Sequence, residues 1–517
     1  MKLQGIVAAV LALACMAGSA WAAGRTEKPS DEKMEISLIA YNNRGVPTPE
    51  TSRVQKFLED RFHIQMKPWT VDWNEKEQIN VRIASGDIPD VWMGYAFPLQ
   101  QMGAIREIPK EALYKYMPKY MQQCEECGGR DLWQSTVLAD GKNWGIPTAL
   151  SIATAGPAIV IRGDWMAKVG WTKPIETLDE LESLFVKFRN EDPDGNNAKD
   201  TYAYTGYKNS SAIYQTTFAQ VFGAYGVRVL TWEKKGDHIE GSMVSPAYRD
   251  ALKRLQSWYK KELMHPEFAV HMRKDIDALM ANGKVGAFED WSNWLASFTT
   301  TGPWGKITAA NPAHQPAYVV SPSGPTGLKG NYSRPAAPWN EPQVMGTGVS
   351  DKKMDRILQI IEEMYADPKL YAVMLAGFEG EEYKWNKDGV LDPIPLTPEQ
   401  VKKLETEKGP LGTGYFRVNS VLPSIEKAYT TPARYPIDNW IRAAQTRLDY
   451  GFTPSFNEEQ RVKDSNLTTL MTQFYYNAIT GKIDVDAEWN GYVEKWMKQG
   501  GKELLEEATK QYLKTLK

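Results

Sequence analysis

Residues 159–205 limit what this chain can fold into more than any other stretch. Ile159, Val160 and Ile161 form an apolar β-branched run, and Trp165, Met166 and Val169 follow at helical spacing. Gly170 stops that helix and Pro174 prevents its return. Thr177, with Glu180 three residues on, reads as a capping box for a second helix over 178–188. Leu178, Leu181, Leu184, Phe185 and Phe188 fall on one face of it, so it must be buried against a sheet. A strand feeding a helix, then an amphipathic helix, places the chain in the α/β class.

The stretch ends in an acidic loop, Asp192-Pro-Asp-Gly-Asn-Asn-Ala-Lys-Asp200. Oxygen-bearing side chains at alternate positions suit a hard cation such as calcium. Asp192, Asp194 and Asn196 would be its first ligands, the Ala198 carbonyl the fourth, and Asp200 with Thr201 the rest. The match to an EF-hand is partial: glycine stands at loop position four instead of six, and Ala203 replaces the bidentate glutamate. An ordinary polar turn is the alternative, because Asp-Pro-Asp-Gly-Asn favours one by itself.

At the N-terminus, Lys2, an apolar run over 6–17 and Ala20-Trp21-Ala22 read as a signal peptide cut after Ala22. The run is too short to span a membrane, and residues 25–33 read as a solvated tether. The chain is expected to be exported and periplasmic, with a lipid anchor at Cys15 as the lesser alternative. Ala14 suits lipidation, but Ala12 stands where a leucine is usual. Cys124 and Cys127 then remain, and an oxidising compartment predicts a local disulfide.

With 517 residues, 42% of them hydrophobic, the chain has material for two cores. Its net charge of −3, with Lys and Arg dispersed, gives no nucleic-acid surface. The 18 Trp and 25 Tyr are many for this length; part of the excess is core, and sugar-binding clefts also use aromatic faces to stack on pyranose rings. There is no Gly-x-Ser-x-Gly, no His-Glu-x-x-His and no phosphate-binding glycine loop, and the five His read as isolated. Asp87 with Asp90, or Glu381 with Glu382, are carboxylate pairs of the type glycoside hydrolysis uses, but adjacency in sequence carries no geometry. The chain is expected not to be an enzyme.

Further motifs occur in one order along the chain: Ser85-Gly-Asp-Ile-Pro-Asp-Val91, Gly141-Lys-Asn-Trp-Gly-Ile-Pro147, Gly283-Lys-Val-Gly-Ala-Phe288 continuing to Trp294, Gly377-Phe-Glu-Gly-Glu-Glu-Tyr-Lys-Trp-Asn-Lys-Asp-Gly389, and Thr480-Gly481 continuing to Trp489. With the acidic loop, they resemble the extracellular solute-binding proteins, family 1, the substrate-capturing components of carbohydrate ABC transporters, and in particular the long oligosaccharide-binding branch. That branch often carries a calcium loop at this place.

The resemblance implies a two-lobed periplasmic-binding-protein fold of type II, each lobe a mixed sheet flanked by helices. It places the first lobe over 34–157, the second over 158–315, a linker and return over 316–378, and second-lobe structure over 379–517. An oligosaccharide would be held between the lobes, hinge closure would trap it, and the membrane permease subunits of the transporter would receive it from a monomer. The residues nominated for the ligand are Tyr41, Asn42, Arg44, Tyr95, Phe97, Trp144, Trp291, Trp294, Glu379, Tyr383 and Trp385, with Trp291 or Trp294 as the principal stacking ring. An oligopeptide-binding protein and a periplasmic ligand sensor are the alternatives. The acidic loop and the Gly377–Gly389 segment favour a saccharide, and peptide termini would need fixed counter-charges.

Overall fold

Eight strands build two separate four-stranded sheets. In chain order they are β1 (Met34–Asn42), β2 (Ile64–Asp72), β3 (Val91–Met93), β4 (Ala158–Ile161), β5 (Tyr202–Tyr204), β6 (Val285–Asp290), β7 (Ala317–Val319) and β8 (Gln343–Met345). The computed structural model describes residues 33–42, 52–72, 77–128, 132–138, 140–151, 155–208, 213, 216–300, 305, 315–331, 341–400, 402, 414–448 and 451–516. The signal peptide, most of the tether and Arg44 lie outside these residues.

The first sheet runs β8-β3-β1-β2, with β1 parallel to β2 and β3 and β8 antiparallel to β3. The second runs β5-β6-β4-β7, with β5 and β6 parallel and β4 antiparallel to both its neighbours. Both sheets are mixed and flanked by helices, as the sequence implied.

Local signals set the elements. The Thr177 hydroxyl accepts the Glu180 amide at 3.1 Å while the Glu180 carboxylate accepts the Thr177 amide at 3.2 Å, and the helix Leu178–Asn190 begins there. Its apolar face is buried as predicted. Phe188 meets Trp165 edge-on at 5.3 Å, and Phe185 stacks on Tyr204 at 5.2 Å. Truncating either phenylalanine to alanine would cost about 3–5 kcal/mol.

The Ser85–Val91 motif has an equally local cause. Gly86 takes a φ of 89° after the helix Glu77–Ala84, and the Asp87 amide returns to the Arg82 carbonyl at 3.0 Å. Asp90 then accepts the Ser37 amide at 2.8 Å and the Lys353 ammonium at 3.0 Å. One carboxylate thereby ties β1 to the start of β3 and to the helix Asp351–Ala366.

Two large cores follow the two sheets. Ile36, Leu38, Ile64, Met66 and Val91 share one with Tyr371, Tyr383, Tyr415, Leu422 and Ala428. Ile159, Ile161, Tyr204, Ala287 and Val319 share the other with Leu467, Tyr475, Trp489 and Leu504. The expectation that 379–517 belongs as a block to the second lobe is therefore corrected. Tyr383, Leu391, Tyr415, Leu422 and Ala428 pack under the first sheet, and the helix Glu458–Ile479 and those after it pack on the second.

The chain passes between the cores at three places, and a buried amide cluster holds these passages together. The Gln220 amide donates to the Pro157 carbonyl at 2.8 Å and to Asn331 Oδ1 at 2.6 Å, and its oxygen accepts the Ser321 amide at 2.6 Å. Asn331 donates to Gln445 Oε1 at 3.1 Å. Gln220 and Asn331 both donate and accept within the cluster, and only the Gln445 amide nitrogen among its side chains is buried without a partner, which makes the cluster a specific joint.

Cys124 and Cys127 are both free, so the expected disulfide is absent. They sit one turn apart on the helix Pro118–Gly128, with Cys124 fully buried beside Tyr120 and Cys127 only half-buried. Burial pushes both thiols up, Cys127 to about 11, which removes the thiolate needed for exchange.

Candidate functional site

The carboxyl ends of parallel strands are where ligands meet open α/β sheets. At the end of β1 the backbone of Tyr41 and Asn42 remains paired with Val71 and Asp72. At the end of β3, Tyr95 is 53% exposed and caps the short helix Ala96–Gln101. Phe97 and Trp144 pack together on the small core of Trp92, Leu99 and Leu138, and the Trp144 indole donates to Asp140 at 3.1 Å. Phe97 also lies 5.1 Å from the Arg461 guanidinium, which projects from the helix Glu458–Ile479 of the other core. This contact brings the two cores to one edge.

On the second sheet, β6 is buried along its whole length and delivers Asp290, then Trp291, to its carboxyl end. Asp290 Oδ1 accepts the Trp291 amide at 2.8 Å, and Oδ2 accepts Arg273 Nε at 2.7 Å. Burial pushes Asp290 up to about 6, against the opposing pull of Arg273. The Arg273 guanidinium lies 5.1 Å from the Phe288 ring and 5.3 Å from the Trp294 ring. Trp291 is half-buried and Trp294 is 45% exposed, so Trp294 offers the larger free aromatic surface.

Below them the Ser292 hydroxyl donates to the buried Asp438, with Arg434 3.1 Å away. Arg273, Asp290 and Asp438 escaped sequence reasoning. The one available signal was the Glu289-Asp290 pair directly before the two tryptophans, acids where a strand should be apolar.

The Gly377–Gly389 segment forms the hairpin Tyr383–Trp385 with Leu391–Pro393. Glu379 is exposed at its entry. Tyr383 is only 1% exposed and meets Trp385 edge-on at 5.6 Å, so its ring is part of the first core instead of an open edge. Trp385 lines a separate cavity of about 410 Å³ with Pro423, Lys427, Tyr435 and Arg442.

The acidic loop is ordered by its own side chains. Asp192 Oδ1 accepts the amides of Gly195 and Asn196 at 3.0 and 3.1 Å, and Oδ2 accepts that of Asn197 at 3.0 Å. The Asn196 amide spans Asp194 at 2.9 Å and Asp200 at 3.1 Å. Asp194 Oδ1 is buried with no hydrogen-bond partner, and desolvation with the adjacent Asp192 raises its pKa. A buried carboxylate oxygen left orphaned among three other oxygen-bearing side chains is what a missing cation would leave, so the donor set fits calcium. Two features limit that fit. Lys284 already pairs with Asp200, and the buried Thr201 hydroxyl is spent on the Phe188 carbonyl at 2.9 Å.

Two mixed sheets on separate cores with three passages between them are the architecture of the two-lobed periplasmic-binding-protein fold. No family model matches the chain. It is 21% identical over 498 residues to the polygalacturonan/rhamnogalacturonan-binding protein YtcQ of Bacillus subtilis, covering 94% of this chain and 92% of that one. It is 22% identical over 529 residues to the fructooligosaccharide ABC transporter substrate-binding protein FusA of Streptococcus pneumoniae, covering 94% and 91%. A solved FusA EF-hand mutant in complex with fructo-nystose superposes with a TM-score of 0.66 at 18% identity, covering 92% and 98%. An HMO-binding, ABC-transporter-associated solute-binding protein of Bifidobacterium longum infantis superposes at 0.70 with 17% identity, covering 93% and 98%.

Over nearly its whole length, then, the chain is similar to solute-binding proteins of carbohydrate transport. These are the group that its motifs resemble.

Proposed function

We propose that this protein is the substrate-binding component of an ABC importer. It captures an oligosaccharide between its two lobes and passes it to the permease subunits. The observation that carries the reading is the exposed Trp294 beside half-buried Trp291 at the carboxyl end of β6, where a pyranose ring can stack. Tyr95, Phe97 and Trp144, at and near the carboxyl end of β3, would supply the other lobe's contacts, with Tyr41 and Asn42 at the end of the neighbouring strand β1. The full-length relatives YtcQ and FusA, named for oligosaccharide or polysaccharide ligands, support the same ligand class.

A peptide would need fixed charges for its termini. Arg273, the cation over the Trp294 ring, is already paired with Asp290, and Arg434 beside Ser292 is paired with Asp438, which favours a neutral, hydroxyl-rich ligand. The protein is read as a binder and not a hydrolase because its adjacent carboxylates have structural partners: Asp87 pairs with Arg82, Asp90 with Ser37 and Lys353, and Glu381 and Glu382 with Arg53. Asp192, Asp194, Asn196, the Ala198 carbonyl and Asp200 would hold a calcium ion that stiffens the loop. Export as a monomer completes the reading, and among the described residues no helix is long and apolar enough to cross a membrane.

Thermal unfolding of the mature protein with calcium, across oligosaccharides and peptides, tests this. Ligand that binds only the folded state raises the midpoint, by about 2.7 kcal/mol of stability at a hundredfold excess over Kd. A rise with one saccharide class is expected, and a rise with peptides alone would overturn it.

A further inference from the structure

Two of the histidines are not isolated after all. His265 and His271 bracket the turn between the helices Pro246–Lys260 and Arg273–Ala281, and their rings lie 4.6 Å apart. Glu267 joins them. Among the described residues, these three are the group of His, Cys or carboxylate side chains whose ligand atoms all lie within 4.8 Å of one another.

The turn is pinned to the edge of the second sheet. The His265 amide donates to the Tyr204 carbonyl at 2.9 Å, and the Lys208 amide donates to the His271 carbonyl at 2.9 Å. The His265 ring packs edge-on against Tyr202 at 5.0 Å and accepts the Glu267 amide at Nδ1 at 3.2 Å. His271 is buried, with Nδ1 3.2 Å from the Thr205 hydroxyl. With Nδ1 donating there, Nε2 keeps its lone pair, which is how an outer hydrogen bond prepares a metal-ligating imidazole.

We propose that His265, Glu267 and His271 form a second metal site, for a borderline-soft divalent cation of the zinc class, distinct in place and chemistry from the calcium loop. Two imidazoles and one carboxylate suit zinc, whereas the acidic loop offers oxygen alone. Zinc–ligand bonds of about 2.0–2.2 Å put tetrahedral ligand atoms roughly 3.3–3.5 Å apart, so the three groups close by about 1.5 Å at most on binding. The exposed Glu267 side chain is free to supply that movement. Burial first, and then the neighbouring His271, keeps His265 down at about 4, and burial lowers His271 against the opposing pull of Asp275 and Glu267. With Nδ1 accepting the Glu267 amide, neutral His265 carries its proton at Nε2, so it would offer Nδ1 to the cation by releasing that amide. Three protein ligands leave a position for water or an outside donor. The site does not depend on the saccharide reading.

The test is calorimetric titration of Zn2+ into the full chain, stripped with chelator and held in excess Ca2+ so that the acidic loop is occupied, with no saccharide present. One Zn2+ per chain is expected, in the micromolar range or tighter, with Co2+ giving visible absorption at the same stoichiometry. Glu267→Ala alters an exposed side chain and is expected to leave the metal-free thermal midpoint in place while weakening Zn2+ by about tenfold or more. His265→Asn is expected to weaken it further. Absence of stoichiometric Zn2+ binding, or binding unchanged in both variants, would overturn the proposal.

Discussion

Arg461 holds its guanidinium 5.1 Å from the centre of the Phe97 ring, and the two residues stand on elements packed on different cores, Phe97 against the small core of Trp92 and Leu99 and Arg461 on the helix Glu458–Ile479. A cation over an aromatic face is worth about 0.5–1 kcal/mol at a partly exposed site. Because the contact exists only when the two cores are close, it favours the closed arrangement. Arg461→Ala should shift the open-to-closed ratio of the unliganded protein roughly two- to fivefold toward open. Small-angle scattering would show a larger radius of gyration for the variant; an unchanged radius would show that the contact does not bear on closure.

Asp90 is expected to matter to stability and not to the ligand. It accepts the Ser37 amide and hydroxyl and the Lys353 ammonium within the first sheet, so Asp90→Ala leaves a largely buried amide and cation without their acceptor. A loss of about 2–4 kcal/mol is predicted, read as a lower thermal midpoint with saccharide affinity retained.

The acidic loop makes a prediction of opposite sign for two variants. Asp192→Ala should abolish the stabilisation that calcium confers. Lys284→Met removes the ammonium that now pairs with Asp200, so it should tighten calcium binding. Since Asp194 has a raised pKa, calcium affinity should also weaken on acidification earlier than for an ordinary carboxylate site. Thermal midpoints in calcium and in chelator, at two pH values, measure all three. A midpoint insensitive to chelator would remove the cation from this loop.

Asp290 makes stability depend on pH in a defined direction. Its folded pKa of about 6 lies above its value in the unfolded chain, so the folded state binds the proton more tightly. Its contribution is fully present below about pH 4 and is lost as pH rises through about 6. Asp290→Asn cannot titrate, so the stability of the natural protein relative to the variant should fall between pH 4 and 7. A difference that stays flat over that window would show that Arg273 holds Asp290 ionised throughout.

What was legible in the sequence was local. The capping box of Thr177 and Glu180, the apolar face of the following helix and the Gly86 turn each depend on residues within one or two turns of each other, and each formed as read. What was not legible depends on distant packing. Tyr383 sits in a turn-rich, polar segment, and only its contact with the first core reveals it as buried. Arg273 reaches Asp290 across a helix and a strand, a pairing that no periodicity announces. His265 and His271 are six residues apart in a turn with no regular spacing, so their meeting follows from the two anchors that the turn makes to the sheet edge. Tyr415, Leu422 and Ala428 join the first core and not the second for the same reason: core membership is a tertiary property that local pattern does not carry.

The central claim is that the protein binds a saccharide by stacking at Trp294. Calorimetric titration of the saccharide class that raises the thermal midpoint, into the natural protein and into Trp294→Ala, tests it most directly. The account predicts one site per chain and a loss of about 1–3 kcal/mol in the variant, a roughly ten- to hundredfold weaker Kd, with the ligand-free midpoint unchanged because Trp294 is 45% exposed. Saccharide binding of equal strength in both proteins would contradict the placing of the ligand at Trp294, and absence of binding by any saccharide would contradict the function itself.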